Sequence, residues 1–259
     1  MNRVLKNFDK YRFLLGELVK KDIKLKYRRS YLGIFWTLLE PLLTTVVLTF
    51  VFSDWYGRGD EAFPVYILTG RLLYAFFANS TKAAMKSIRS NSAMIKKVYV
   101  PKYIYPLSSI LSNFATFLIS LIILVLAMVA LKVGVTVYIF QIFVPLFLAL
   151  VLSMGVGMIL ATMAVFFRDL EYLWSVILML IMYASAIFYD INSKNFVDKA
   201  PILKIANPLF DIISNFRDAV FGRPLGLEEL LIASVYSFGT LIVGIILFYR
   251  KQDQFILNI

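Results

Sequence analysis

Two charges, Glu40 and Arg71, stand alone inside stretches that otherwise read as lipid-spanning helix. A bilayer core takes roughly 20 apolar residues per helical crossing, and a charge within it costs about 3 kcal/mol or more unless it is paired or wetted. The long apolar runs therefore define an all-α integral membrane protein with room for six crossings. Its 259 residues are 60% hydrophobic and 17% charged, with a mean hydropathy of +0.78. That is more apolar surface than a soluble domain of this length can bury.

The missing residue types exclude whole classes of chemistry. Cysteine and histidine are absent, so disulfides, thiol nucleophiles, imidazole bases and the usual transition-metal ligands go with them. No catalytic residue, metal site or cofactor is expected on this chain. A membrane-embedded glycan- or lipid-processing enzyme would need clustered acidic, His or Cys residues facing one surface. The net charge of +11 lies mostly beside apolar runs, where it sets membrane orientation; no nucleic-acid domain is implied. The basic N-terminus has no continuous apolar core beside a small-residue cleavage site, so it is not a cleaved secretion signal.

The first apolar run is Gly33 to Ser53, closed by the polar turn Asp54 to Glu61. The second, Ala62 to Thr81, contains Arg71 and leads into a basic loop, 82–103, with Lys82, Lys86, Arg89, Lys96, Lys97 and Lys102. Leu107 to Leu131 is the cleanest span. Val137 to Phe167 is too long for a straight crossing and calls for tilt, an extension or a kink near Pro145. Within it Gly155 and Gly157 suit a close helix contact. A fifth run covers Tyr172 to Tyr189, and a sixth Leu227 to Tyr249. With this layout 19 Lys/Arg fall on one side and 7 on the other. The positive-inside rule then puts both termini in the cytoplasm.

Two segments are neither loops nor ordinary spans. Region 190–226 is broken by Pro201 and Pro208, polar in its first half and amphipathic in its second, where Leu209, Ile212, Ile213, Phe216 and Val220 recur at helical spacing. It fits two short helices, either re-entrant from the outer face or lying on that surface. Residues 1–32 form an amphipathic segment, with Tyr11, Leu14, Leu15 and Leu18 opposite a basic face, suited to the cytoplasmic headgroups of membrane lipids or to a partner protein. The arrangement is thus an interface helix at 1–32, a six-helix domain at 33–249 and a tail at 250–259.

Nothing matches G-x-x-x-x-G-K-[ST], and no soluble insertion is long enough for a nucleotide-binding fold. Any pumping must draw its energy from a separate subunit. Glu40 lies seven residues beyond Gly33, roughly 10 Å into the membrane, and Arg71 lies about eleven residues from the end of crossing two, roughly 16 Å deep. Their side chains can meet as an intramembrane ion pair clamping crossings one and two, or stand on the wall of a wet conduit.

Four stretches resemble bacterial ABC-type polysaccharide exporters. They are Asp22-Ile-Lys-Leu-Lys-Tyr-Arg-Arg-Ser-Tyr-Leu-Gly-Ile-Phe-Trp-Thr-Leu-Leu-Glu-Pro41, Met94-Ile-Lys-Lys-Val-Tyr-Val-Pro-Lys-Tyr-Ile-Tyr-Pro-Leu107, Phe166-Phe-Arg-Asp-Leu170, and Asn207-Pro208 followed by Arg217-Asp218. Glu40 and the Tyr31 to Ile34 turn depart slightly from the commoner pattern. The resemblance implies the transmembrane subunit of an inner-membrane exporter of lipid-linked polysaccharide, O-antigen foremost, with teichoic acid, capsule, drugs or lipids as alternative cargoes. It further implies a homodimer driven by two ATPase subunits that hold the ATP and Mg. Loop 82–103 would dock on the ATPase through Met94, Ile95, Lys96, Lys97, Val98 and Tyr99, and Arg168 and Asp169 would make a smaller contact. The same resemblance puts crossings one and five around the pore, with Trp36, Phe50, Tyr183, Phe188 and Tyr189 as aromatic surfaces for a sliding glycan. A passive channel is the reading that loss of function on removing an ATPase would exclude.

Overall fold

The computed structural model describes residues 2–28, 30–56, 62–98, 100–189 and 205–258, and all regular structure among them is helical. In order these are α1 (Asn2–Tyr27), α2 (Trp36–Tyr56), α3 (Phe63–Ser90), the short α4 (Ser92–Ile95), α5 (Ile104–Ala130), α6 (Phe143–Phe166), α7 (Leu170–Ala184), α8 (Pro208–Val220), α9 (Leu227–Lys251) and the terminal turn α10 (Phe255–Asn258). The turn 57–61, Tyr99 and the polar half of the region before α8, residues 190–204, lie outside the described residues.

Four stretches are long and apolar enough to cross a membrane: Gly33–Phe52, Ile104–Ala130, Val137–Phe166 and Leu227–Asn258. The apolar α7 is shorter, 15 residues or roughly 22 Å, and stops at Ala184 rather than running on to Tyr189. Ala186 has a left-handed backbone (φ 47°) and breaks the helix there. Helix α3 is long but less apolar, and its position explains why. It packs against α2, α5, α6, α7 and α8, so from Phe63 to Ile88 most of its side chains face protein, and protein tolerates Thr, Ser and Gly where lipid favours bulk.

Two sequence expectations change. Helix α3 continues to Ser90, so Lys82, Lys86 and Arg89 ride on it rather than in a loop, and only residues 91–103 are left to connect α3 with α5. The surplus length before α6 is taken up by a 3-10 segment, Val137–Ile142, and Pro145 falls in the first turn of α6, where no intrahelical donor is lost and no kink arises. Pro41, by contrast, lies inside α2. It has no N–H for the carbonyl of Thr37, and the Ser120 hydroxyl of α5 donates to that oxygen instead, at 3.0 Å.

Glycine sets the closest helix contact. A Cβ on Gly155 of α6 would collide with the α9 backbone at Leu241 and Thr240, and one on Gly244 of α9 would lie 2.6 Å from the Gly155 carbonyl. Gly157 similarly admits Ile110 and Ala84, so both glycines of the sequence pair serve close packing. In α8 the expected amphipathic face turns inward: Leu209, Ile212, Ile213, Phe216 and Val220 are all buried. A second buried cluster gathers Leu15 and Leu18 of α1, Ile88, Ile95, Tyr105, Val165, Phe248 and Phe255.

Candidate functional site

Helix α2 presents its bare face, including Leu42, Leu43, Val46, Val47 and Phe50, away from the bundle. Two clefts run along its flanks. The first, with room for water in about 70 Å³, lies between the end of α1, α2, α3 and α5. Its wall is polar for a helix-lined space: Lys26, Tyr27, Thr37, Glu40, Thr44, Arg71, Asn79, Asn113, Thr116 and Ser120. Several of these groups bond back to their own helices, as Thr44 does to the Glu40 carbonyl (2.7 Å) and Thr116 to that of Asn113 (2.9 Å). Polar side chains are thus held at the cleft wall while their lone pairs stay available.

Glu40 and Arg71 both line this cleft, yet among the described residues no direct ion pair joins them. Glu40 sits on the open face of α2, beside α1. Burial holds the Lys26 amine below its usual range and the Glu40 charge opposes that shift; Tyr27 is raised by burial and by the same carboxylate. The acidic side chain thus acts on the end of α1 while sharing the cleft with Arg71 of α3.

The second cleft, of about 870 Å³ of open space, is apolar: Leu43, Val47, Leu48, Phe52, Met182, Tyr183 and Phe188, with Thr44 and Arg71 at its polar edge. Thr44 and Arg71 belong to both walls, so the two spaces adjoin at these residues. Of the five aromatics picked from the sequence, Phe50 and Tyr183 are exposed and Trp36 is partly so, at the far end of α2 from Phe50. Phe188 is buried: its ring stacks on Phe52 of α2 at 5.2 Å and meets Tyr183 at 6.2 Å. Tyr189 is half-buried and donates its hydroxyl to the Tyr183 carbonyl at 2.9 Å. Tyr183, Phe188 and Tyr189 thus form one cluster with Phe52, a ring the sequence reading passed over. Phe188 supports that surface from beneath.

At the opposite end of the bundle, Met94, Lys96, Lys97 and Val98 are exposed, and so are Arg168 and Asp169. Ile95 is not. It is buried in the second cluster and ties α4 to its own chain, because a lone apolar residue on a one-turn helix finds the nearer core first. Tyr99 lies outside the described residues. Arg168 and Asp169 make no mutual ion pair among the described residues, and Asp169 heads α7 without a side-chain cap. The neighbouring Glu171 instead pairs with Lys86 of α3 at 2.8 Å.

One residue central to the fold was visible in the sequence only as part of a motif. Arg217 of α8 is buried, and its guanidinium donates to the carbonyls of Ala186 (3.0 Å), Tyr66 (3.3 Å) and Ile187 (3.4 Å) while lying 3.5 Å above the Tyr66 ring. The Tyr66 hydroxyl in turn donates to Ala186 and Tyr189. The carbonyls freed where α7 ends are satisfied in this way. The signal available in the sequence was Gly70, since a Cβ there would lie 2.7 Å from Nη2 of Arg217.

Residues 14–221 match the family model described as ABC-2 type transporter. This chain belongs to that family of transporter membrane proteins. Among its relatives, the O-antigen export system permease protein RfbA of Myxococcus xanthus is 25% identical over 256 residues, covering 98% of each chain. The protein of the same name from Klebsiella pneumoniae is 28% identical over 93% of each. The polysialic acid transport protein KpsM of Escherichia coli is 22% identical across 97% of this chain and 98% of its own.

Proposed function

We propose that this chain is the transmembrane subunit of an ABC transporter that exports lipid-linked polysaccharide, O-antigen foremost, across the bacterial inner membrane. The observation that carries the reading is similarity over nearly the whole length to O-antigen export permeases, at 25–28% identity, against 22–24% for the capsule and polysialic acid transporters. In this reading α2, α3, α5, α6, α7 and α9 are the six crossings. Helix α1 lies along the cytoplasmic headgroups, both termini are cytoplasmic, and α8 is the inner-facing half of a re-entrant outer gate. Two copies face each other across their α2 and α7 surfaces, because the bare apolar face of α2 and the exposed Tyr172, Leu173, Val176 and Leu180 of α7 need either lipid or a second subunit.

The energy comes from two ATPase subunits docked on Met94, Lys96, Lys97, Val98 and Tyr99, with Arg168 and Asp169 as a second contact. A patch of that make-up, apolar residues inside a charged rim, suits a protein partner. Hydroxyls and amides of the first cleft offer hydrogen bonds to sugar, and Tyr183, Phe50 and Trp36 offer flat faces past which pyranose C–H groups slide. Glu40 and Arg71 act as wet wall charges rather than a closed clamp.

The test is deletion of the chain in its own host, followed by complementation. Lipid-linked polysaccharide should accumulate on the cytoplasmic side and surface glycan should vanish, with recovery when the chain is restored to a strain that keeps the ATPase and none in a strain that lacks it. Normal surface glycan in the deletion strain would overturn the proposal. Recovery by the chain without any ATPase would leave a passive channel as the reading.

A further inference from the structure

The residues after α9 do not trail away. They turn back through a 3-10 turn, Gln252–Gln254, into α10, whose exposed Ile256 and Leu257 flank a Phe255 that is 0% exposed. The Phe255 ring meets Phe248 of α9 edge-on at 5.2 Å and Phe166 of α6 at 6.2 Å. Lys102 donates to the Gln252 carbonyl at 2.6 Å and stands 6.0 Å from the Phe255 ring. The cluster that holds Phe255 also holds Ile95.

These contacts place one side chain between the two segments that carry the exposed docking residues. Phe166 is two residues before Arg168, and Lys102 closes the connection that begins with Met94 to Val98. We infer that Phe255 is a positioning residue for energy coupling: seated against Phe166 and Phe248 and clasped by Lys102, it fixes the two ATPase-facing segments relative to each other, so that a push on one is carried by both. This rests on the proposed docking of an ATPase. Removing the ring leaves each segment attached to its own helix but frees them from a common frame, and ATP turnover then proceeds with little export.

The experiment compares Phe255→Ala, Phe255→Leu, Lys102→Met and Leu257→Ala in the full complex with its ATPase in proteoliposomes, reading both ATP hydrolysis and export. The expected result is a fall of at least about fivefold in export per ATP for Phe255→Ala, the lower end of ordinary coupling between sites. Lys102→Met should lie between it and wild type, Phe255→Leu should recover most of the ratio, and Leu257→Ala should not differ. A spin label on Lys97→Cys, in a chain otherwise free of cysteine, is read in nanodiscs without the ATPase and should gain mobility in Phe255→Ala. An unmoved label overturns the inference. So does a mobilised label with an unchanged export-to-ATP ratio, or equal losses of hydrolysis and export, which mark Phe255 as merely structural. If the label moves but the wild-type complex exports nothing, the functional reading fails while the positional claim survives.

Discussion

Arg217 shows how a single buried cation is made affordable. Its guanidinium faces three backbone carbonyls and an aromatic ring, so the charge is solvated by dipoles, two of which, at Ala186 and Ile187, the break after Ala184 had left without helical partners. Hydrogen bonds to a charged group are worth about 1.5–3 kcal/mol each to a fold. Arg217→Met should therefore lower the apparent unfolding midpoint of the detergent-purified chain markedly. Gly70→Ala should do the same by displacing Nη2, though less, since the guanidinium can shift; Gly16→Ala, where a Cβ meets nothing within 4 Å, is the control. Equal midpoints for the Gly70 and Gly16 variants would show that the cradle is not needed.

Among the elements, the pair α6 and α9 depends most on what is missing from its surface. Gly155→Leu would force these helices apart at Leu241 and Thr240, and overpacking of this kind typically costs about 1–3 kcal/mol. The expected outcome is a lowered unfolding midpoint for Gly155→Leu and an unchanged one for Gly239→Leu, where a Cβ meets nothing within 4 Å; equal midpoints would refute it. The Gly155 and Gly157 pair was legible in the sequence because small residues in an apolar run have little other use. So was the inward face of α8, since a period of 3.6 survives any tertiary arrangement. The end of α7 was not, because Ser185 to Phe188 is as apolar as the helix before it and only a left-handed Ala186 marks the break. Nor was the inward turn of Ile95, whose fate depended on a core assembled from segments as distant as Leu15 and Phe255. The cleft that Glu40 shares with Lys26 and Tyr27 escaped for the same reason: it joins residues that no local pattern links.

The whole molecule carries no nucleotide-binding loop in its sequence, and the long helix α3 at its centre is wrapped by five others. The purified chain is expected to hydrolyse no ATP by itself and to show twice its 29.7 kDa mass in native mass spectrometry from nanodiscs. A single-copy mass would remove the shared conduit. Glu40 and Arg71 bear on the same scale: exchanging them should preserve assembly yet stop export, because the wall charges would then face the wrong neighbours. Full export by the exchanged protein would return them to a purely structural role.

Helix α2 is fastened differently at its two ends. Near its start the Ser120 hydroxyl grips the Thr37 carbonyl, just beyond Gly33, whose left-handed φ of 50° lets the backbone turn sharply. Near its finish it rests on the segment after α7 through Phe52 and Phe188, two rings lying almost flat, 13° from parallel. A hydrogen bond breaks when its atoms slide, whereas flat rings can shear past each other and keep most of their contact. The start of the helix is thereby pinned at the serine, and its finish is greased by the phenylalanines.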